Sequence, residues 1–420
     1  MMNNQGAFNV RDFGATGDGV SKETCALQEA IDACAASGGG TVVFPSGRYL
    51  SGTLLLKSNV TLHVGAGATL LGSPDSEDYT TDIMGFRDAV GADRGRALIV
   101  AYQQENVAIE GRGVIDGQGK DWKDARPMIL RFLECQKVSV TDVTLKDSGA
   151  WVQHYLACSD VMIRGVRVDS HCNSNNDGIN LDGCERVVMS DCHFSAGDDA
   201  FTLKCTSERP CRDVVVTNCL FQSECNGIKF GTESVGGFEN ITISNCVVYD
   251  TALCGLTVAT VDGAFLRNVT ISNIVMRNVG GAIFMRLGSR GYHVPPEVQP
   301  RPAGSFQRVV IRDIIASGVD GMGSAILGLE DKPIEDVILE NIFISGVGGG
   351  SRLAAPLAER PMEYPQYNHW GPFPAHGLFC RHVKGLQIRN LKVSVASPDA
   401  RPALLFEDVT ELTTEQVACD

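Results

Sequence analysis

The sequence predicts an all-β chain that folds as a parallel β-helix. A short motif of alternating apolar and polar residues, ending in Asn, Asp or Gly, recurs along the chain. Its first six copies begin at Val138, Val161, Val187, Val214, Ile241 and Val269. The intervals of 23, 26, 27, 27 and 28 residues each hold a second apolar alternation, so one repeat supplies the two or three short strands of one coil. Glycine, at 46 of 420 residues, exceeds the usual roughly 7%, as many turns require.

Two other repeat folds fit the sequence less well than the β-helix does. A leucine-rich repeat needs the Leu-x-x-Leu-x-Leu frame, which the repeats here lack. A β-propeller blade needs about 40 or more residues, which is longer than these intervals. The repeat length and its strand content therefore favour the β-helix.

The two ends of the chain depart from the repeat. Near the start, residues 25–34 have helical spacing and stop before Ser37 and three glycines, which predicts a short helix that caps the first coil. We expect one domain over residues 1–420, with an N-terminal cap region at 1–60. A segment at 346–376, rich in Pro and aromatic residues, interrupts the repeat and is expected to leave it as a loop. This loop could bind sugar rings, close one end of a cleft, pack over the last coils or form a dimer contact.

Composition and charge exclude several classes of function. The 36 basic and 50 acidic side chains give a net charge of −14, and no long Lys/Arg run occurs, so nucleic acid is not expected as a partner. No apolar run is long enough for a membrane span, and the first residues lack an export signal, so we expect a cytoplasmic protein, monomeric rather than associated, unless a leader was removed. The 15 cysteines include no Cys-x-x-Cys pair, so no metal site is predicted.

Alignment of the second strand of each coil collects polar residues into outward-facing columns, because side chains alternate along a strand and adjacent strands lie about 4.8 Å apart. These columns are Asp177, Asp199 and Asn226; Asn180, Thr202, Lys229 and Thr257; and Asp182, Lys204, Gly231, Ala259 and Arg286. With Asp198 beside Asp199, three carboxylates converge. Such a cluster can cleave a glycosidic bond, since one carboxyl group protonates the leaving oxygen and another activates water. It can also hold calcium or cap turns.

Several motifs resemble glycoside hydrolase family 28, the polygalacturonase family of single-stranded right-handed parallel β-helices. The resemblance rests on Asn176-Asp177-Gly178, on Gly197-Asp198-Asp199-Ala200, and on the stretches 10–19, 38–47 and 60–68. It implies an inverting hydrolase that needs no cofactor and acts on pectin-type or related acidic oligosaccharides or polysaccharides. It also implies that Asp198 is the general acid and that Asp177 and Asp199 position and deprotonate the attacking water.

Two departures from the family pattern concern substrate binding. Asn226 stands where the family usually has His, and the stretch 255–260 lacks the Arg and Lys that grip a galacturonate carboxylate. Loss of that charge-assisted contact predicts a change in the sugar accepted beside the scissile bond. The residues expected to bind substrate instead are Asn180, Lys204, Asn226, Lys229, Arg286 and Arg290. For Lys204, pairing with Asp182 or Asp199 is the structural alternative.

These observations predict an exo-acting, galacturonidase-like or polygalacturonase-like hydrolase. Two other functions stay open at this point. On the same fold, a polysaccharide lyase or epimerase would use a carboxylate or Lys229 to abstract a proton beside a uronate carboxyl group. A carbohydrate-binding β-helix without activity would keep its ligand after the change Asp198→Asn.

Overall fold

The structure is a computed structural model that describes residues 6–81, 83, 85–88, 91, 93–291 and 302–419. The fold is a right-handed parallel β-helix, as predicted. The chain divides into two compact units, Met1–Asp198 and Asp199–Asp420, called the N-terminal and C-terminal units below. The prediction that residues 1–420 form one domain stays a prediction. None of the helices that the structure describes is both long and apolar enough to cross a membrane.

The N-terminal unit begins with the predicted helix, α1 (Thr24–Ala36), whose buried face carries Leu27, Ala30, Ile31 and Cys34. Short 3-10 turns lie at Val10–Phe13, Ser76–Asp78 and Gly119–Asp121. The strands are β1 Ala7–Asn9, β2 Asp18–Lys22, β3 Gly40–Phe44, β4 Gly47–Ser51, β5 Leu54–Leu55, β6 Val60–Val64, β7 Ala68–Gly72, β8 Phe86–Arg87, β9 Asp93–Arg94, β10 Ala97–Tyr102, β11 Glu105–Glu110, β12 Val114–Asp116, β13 Met128–Leu133, β14 Gln136–Thr141, β15 Thr144–Lys146, β16 Gln153–Leu156, β17 Ser159–Arg164, β18 Arg167–Ser170, β19 Ile179–Asp182, β20 Glu185–Ser190 and β21 His193–Ala196.

Three parallel ladders run through the coils of this unit. In the first, β10, β13, β16 and β19 pair in order, and the register places Arg131, His154 and Asn180 in one column. Inside the coil, the next column holds Phe132 and Tyr155, whose stacked rings lie 5.2 Å apart. Because side chains alternate, a column that points into the core is always followed by one that points away from it.

The C-terminal unit continues the same pattern with longer elements. Its strands are β22 Phe201–Cys205, β23 Cys211–Thr217, β24 Leu220–Ser223, β25 Ile228–Ser234, β26 Gly237–Thr260, β27 Phe265–Leu287, β28 Ser305–Val319, β29 Ser324–Leu327, β30 Ile334–Gly348, β31 Leu378–Ser397, β32 Leu404–Thr410, β33 Thr413–Glu415 and β34 Ala418–Cys419. A 3-10 turn at Tyr367–Trp370 lies in the segment between β30 and β31, where the loop insertion is predicted. The register pairs Thr202 with Lys229 and Lys229 with Thr257, as the repeat alignment predicts.

The column that faces away from the core is nonetheless buried, which the alternation does not predict. Asn180 and Thr202 have no exposed surface, and Lys229 and Thr257 are 2% and 1% exposed. In the C-terminal unit the insertion contributes Tyr367, Trp370 and Phe373 to an apolar cluster with Leu253, Phe284 and Phe379. In the N-terminal unit Trp151 forms a second cluster with Val100, Met128, Leu133 and Leu156, against which Ile83 packs. Segments outside the repeat therefore cover part of the outward face.

Candidate active site

Asp177 lies in the turn before β19 and is 3% exposed. Its carbonyl oxygen accepts a hydrogen bond of 2.8 Å from the backbone of Val152. The neighbouring Asn176 side chain donates to the carbonyl oxygens of Ser148 and Ala150, both at 2.8 Å. These bonds tie the turn to the preceding coil, so the position of the Asp177 carboxylate is fixed by the backbone that carries it.

Asp198 lies in the following coil, directly after β21, and is partly exposed. Its backbone N–H donates to the carbonyl oxygen of Asn176 at 3.4 Å, and its Oδ2 accepts a hydrogen bond of 3.3 Å from Nδ2 of Asn175. The N-terminal unit therefore links the turn of Asp198 to the turn of Asp177 in the preceding coil through a backbone hydrogen bond. Of the two, Asp198 has the carboxyl group that solvent can reach.

Asn175 is a site residue that the sequence reasoning missed. Its backbone is in the left-handed region, with φ of 55°, which Asn tolerates better than most residues. Its Oδ1 accepts hydrogen bonds from the guanidinium groups of Arg94, at 3.0 Å, and Arg126, at 2.8 Å. Two cations thus orient the amide that donates to Asp198. The signal in the sequence is the polar run Asn173-Ser174-Asn175-Asn176 directly before Asp177.

Asn180, expected to bind substrate, lies below the surface. Neither its Nδ2 nor its Oδ1 has a hydrogen-bond partner among the described residues. Its column neighbour His154 is also completely buried, with Nε2 3.3 Å from the Asp182 carboxylate. Further along the column, burial lowers the pKa of Arg131 to about 10. A substrate-binding role for Asn180 stays a prediction.

Asp199, the first residue of the C-terminal unit, is 2% exposed, and Lys229 and Asn226 are among its partners. Nζ of Lys229 lies 2.6 Å from its Oδ2, and Nδ2 of Asn226 donates to its Oδ1 at 2.7 Å. Burial raises the pKa of this carboxyl. The charge and hydrogen bond of Lys229, with the hydrogen bonds from Asn226 and Cys225, lower the pKa by more than burial raises it. The pKa of Asp199 therefore lies below its ordinary value, and the group is an anion at neutral pH.

Asn226 connects Asp199 to the next coil. While its amide nitrogen donates to Asp199, its Oδ1 accepts a hydrogen bond of 2.9 Å from Oγ1 of Thr257 and one of 3.3 Å from the backbone of Cys254. An amide can do both at once because it carries a donor and an acceptor at fixed positions. Asn226 is thus a support for Asp199 at the position where the resemblance expects His.

The remaining predicted lysine and one arginine form buried ion pairs. Nζ of Lys204 lies 3.1 Å from Glu233, an acidic partner that the repeat alignment did not identify. The guanidinium of Arg290 makes two hydrogen bonds, of 2.9 and 2.7 Å, to the Asp262 carboxylate. Burial lowers the pKa of Arg290, but the bonds to Asp262 reverse this and leave the pKa raised. Both cations carry carboxylate partners, and their binding of substrate stays a prediction.

Tyr364, from the insertion, lies over two of these cations. Its ring centre is 5.4 Å from Nζ of Lys229 and 5.7 Å from the guanidinium carbon of Arg290. Such contacts are attractive because the face of an aromatic ring is electronegative. The insertion therefore reaches the residues around Asp199.

Arg286 is held by the backbone rather than by a carboxylate. It is 1% exposed, and its guanidinium donates to the carbonyl oxygens of Leu327, Gly328, Glu359 and Arg360 at 3.1 to 3.5 Å. Trp370 lies against it, with its ring centre 5.4 Å from the guanidinium carbon. These contacts fasten the insertion to the coils. Anion binding by Arg286 stays a prediction.

The surroundings of Asp199 also bear on metal binding. A cation there would have to compete with the Lys229 ammonium, which already lies 2.6 Å from the carboxylate. Calcium takes six to eight oxygen ligands, and the thiol of Cys225 beside Asp199 is not one of them. The prediction that the site needs no metal stays a prediction.

A family model of known proteins, glycosyl hydrolases family 28, matches residues 34–356. The chain belongs to this family. It is 26% identical over 412 residues to a probable polygalacturonase of Vitis vinifera, a match that spans 87% of this chain and 83% of the plant protein. It is 22% identical over 410 residues to an exo-poly-alpha-D-galacturonosidase of Dickeya chrysanthemi, spanning 81% and 67% of the two chains.

Solved structures of the family have the same fold. An exopolygalacturonase from Thermotoga maritima superposes with a TM-score of 0.74 at 23% identity, over 92% of this chain and 91% of the other. A family 28 exopolygalacturonase from Yersinia enterocolitica gives a TM-score of 0.76 at 20% identity, over 97% and 78%. Membership of glycosyl hydrolases family 28 confirms the predicted resemblance and makes this chain a glycoside hydrolase with a polysaccharide substrate.

Proposed function

We propose that this family 28 hydrolase cleaves galacturonate-containing chains from one end, with Asp198 as general acid and with Asp177 and Asp199 as the groups that hold and deprotonate water. One observation supports the assignment of Asp198 as acid and Asp199 as base. Asp199 is buried and kept ionised by Lys229, which suits a base, whereas the Asp198 carboxyl is partly exposed and accepts a hydrogen bond from the neutral amide of Asn175. General acids and bases in one site need environments that separate their proton affinities.

The reaction then follows from these assignments. Asp198 gives its proton to the glycosidic oxygen as the bond from that oxygen to the anomeric carbon breaks. Water attacks the anomeric carbon from the opposite face and loses a proton to Asp199 or Asp177. The leaving sugar gains a hydroxyl group, and the new reducing end has the inverted configuration. No cofactor enters this balance.

The insertion supports attack at chain ends. Tyr367, Trp370 and Phe373 are 2%, 6% and 0% exposed, so they anchor the segment instead of offering rings to a sugar. With these anchors in place, Tyr364 is held close to Lys229. A packed wall beside the base is expected to stop a long chain from passing through. The exopolygalacturonases among the relatives agree with this mode of action.

The test compares the wild type with Asp198→Asn on oligogalacturonates, following reducing ends and the ultraviolet absorbance of unsaturated uronides together. Loss of the general acid should slow release of reducing ends about 100- to 10,000-fold. Asp12→Asn is the matched control, because Asp12 is an exposed aspartate in the same unit. Absorbance in the wild-type digest would show a lyase, and unchanged activity of Asp198→Asn would remove Asp198 from the mechanism.

A further inference from the structure

A cavity of about 520 Å³ opens in the N-terminal unit between the segment that precedes β10 and the segment that precedes β13. Its charged lining consists of Arg94, Arg96, Lys123 and Arg126, with Asp124 as the one acidic side chain of the described lining. Four cations around one cavity stand out in a chain whose net charge is −14. We call it the cationic pocket.

The cations of the cationic pocket differ in their partners. Arg94 is 6% exposed and paired with the Asp88 carboxylate, at 2.7 and 2.8 Å, and its guanidinium carbon lies 5.7 Å from the Trp151 ring centre. This pair fixes the wall of the pocket. Arg96 and Lys123 have neither an ion pair nor a side-chain hydrogen bond with any residue that the structure describes.

Arg126 is oriented without being neutralised. Its guanidinium donates to the side-chain oxygens of Asn173, Ser174 and Asn175 at 3.3, 2.6 and 2.8 Å, and no carboxylate of the described chain pairs with it. Partial burial lowers the pKa of Arg126, the nearby charge of Arg94 lowers it further, and the Asp88 carboxylate offsets only part of this change. Like charges held together in this way are stabilised by an anion that lies between them.

The cationic pocket is next to the proposed acid. Arg126 donates to Oδ1 of Asn175 at 2.8 Å, and the same amide donates from Nδ2 to Asp198 at 3.3 Å. One amide group therefore separates the guanidinium from the carboxyl group that would protonate the glycosidic oxygen. A sugar seated at Asp198 can direct a substituent into the pocket.

We propose that the cationic pocket binds the carboxylate of a uronosyl residue beside the scissile bond and thereby selects acidic over neutral substrates. The inference rests on the proposed function, because it supplies the substrate preference of that same site. The stretch 255–260 lacks the cations expected there, and Lys229 is bonded to Asp199. Arginine is suited to the task, since its planar fork of donors matches a carboxylate.

Binding is the first test, because it does not depend on turnover. Trigalacturonate and its neutral galactose counterpart are titrated calorimetrically into Asp198→Asn protein, with and without the changes Arg96→Gln and Lys123→Gln. Neither side chain supports another described residue, so the fold should be kept. We expect the pocket changes to weaken binding of the acidic ligand about tenfold or more and to leave the neutral ligand unaffected.

The matched control carries Arg112→Gln and Lys384→Gln, which remove the same charges from exposed positions. Equal weakening in this control would mean that long-range charge, and not the cationic pocket, attracts the ligand. Unchanged binding after the pocket changes, or no binding of trigalacturonate by the unaltered pocket, would also overturn the inference.

Kinetics separate this inference from the proposed function. In otherwise wild-type protein the pocket changes should lower kcat/KM on oligogalacturonate about tenfold or more, with little change on its methyl ester. Equal losses on both substrates would show a structural role. If the wild type cleaves no galacturonide at all, the proposed function fails, while the calorimetric comparison still decides whether the pocket recognises a carboxylate.

Discussion

The two units contain similar cations, but these cations differ in their bonding partners. In the C-terminal unit Lys204, Lys229 and Arg290 each bind a carboxylate, and Arg286 is covered by four carbonyl oxygens. In the N-terminal unit the cationic pocket holds Arg96, Lys123 and Arg126 with no carboxylate partner among the described residues. A paired cation supports its neighbours, whereas an unpaired one is available to an incoming anion.

This difference bears on which residues of the chain recognise the substrate. The sequence predicts that Lys204, Lys229, Arg286 and Arg290 bind substrate, yet each is already bonded within the protein. The unpaired cations lie outside the repeat. Ionic partners, rather than position in the repeat alone, indicate whether a cation stabilises the fold or binds a ligand.

The largest effect on stability and on the pH profile should come from removing Lys229, the cation that pairs with Asp199. Lys229→Met leaves a buried carboxylate without its partner, which is expected to destabilise the protein by about 3–5 kcal/mol in urea unfolding. At the same time the pKa of Asp199 should rise, because burial is then no longer opposed by the ammonium. Since the base must be ionised, the acidic limb of kcat/KM should move upward by about one to three pH units.

The control for this variant is Lys384→Met, at an exposed lysine of the same unit. It should change the free energy of unfolding by less than about 0.5 kcal/mol and leave the pH profile in place. A Lys229→Met enzyme with an unchanged acidic limb would show that Asp199 is not the base.

A smaller effect is expected at Arg286. Arg286→Met keeps much of the side-chain volume but leaves the carbonyl oxygens of Gly328 and Arg360 without their donor. A buried polar group left unpaired destabilises the folded protein by about 1–3 kcal/mol, so Arg286→Met should unfold at a lower urea concentration than the wild type. The insertion should also become more sensitive to proteolysis. Full stability of Arg286→Met would contradict a fastening role.

The smallest effect on stability should come from substitutions in the cationic pocket. Arg96→Gln with Lys123→Gln removes charges that support no described residue, so the free energy of unfolding should change by less than about 0.5 kcal/mol. A loss as large as that of Arg286→Met would mean that these side chains stabilise the fold, and the contrast between the units would fail.

Much of the fold is predictable because the repeat is local and periodic. Spacings near 27 residues and alternating side chains determine which residues stack, and the structure confirms the pairings of Thr202 with Lys229 and of Lys229 with Thr257. The helix Thr24–Ala36 and the segment between β30 and β31 also occur where the repeat is absent. Helical spacing before a run of glycines predicts the helix, and a segment rich in Pro and aromatic residues that interrupts the repeat predicts the insertion.

The candidate site was less predictable because its environment comes from irregular segments. Alternation alone cannot show that Lys229 lies under Tyr364 or that Arg286 binds carbonyl groups of the insertion, since both contacts join residues far apart in sequence. Arg94 and Arg126 were missed for the same reason. The signal for Arg126 was a run with three cations, Lys120, Lys123 and Arg126, in a segment without strand alternation.

The central claim, that Asp198 and Asp199 act as acid and base in hydrolysis from a chain end, is tested most directly by proton NMR of hexagalacturonate during digestion by the wild type. The account predicts that a monosaccharide is the first product, that its inverted anomer appears before the other, and that no unsaturated uronide forms. An unsaturated product, or first appearance of the retained anomer, would contradict it.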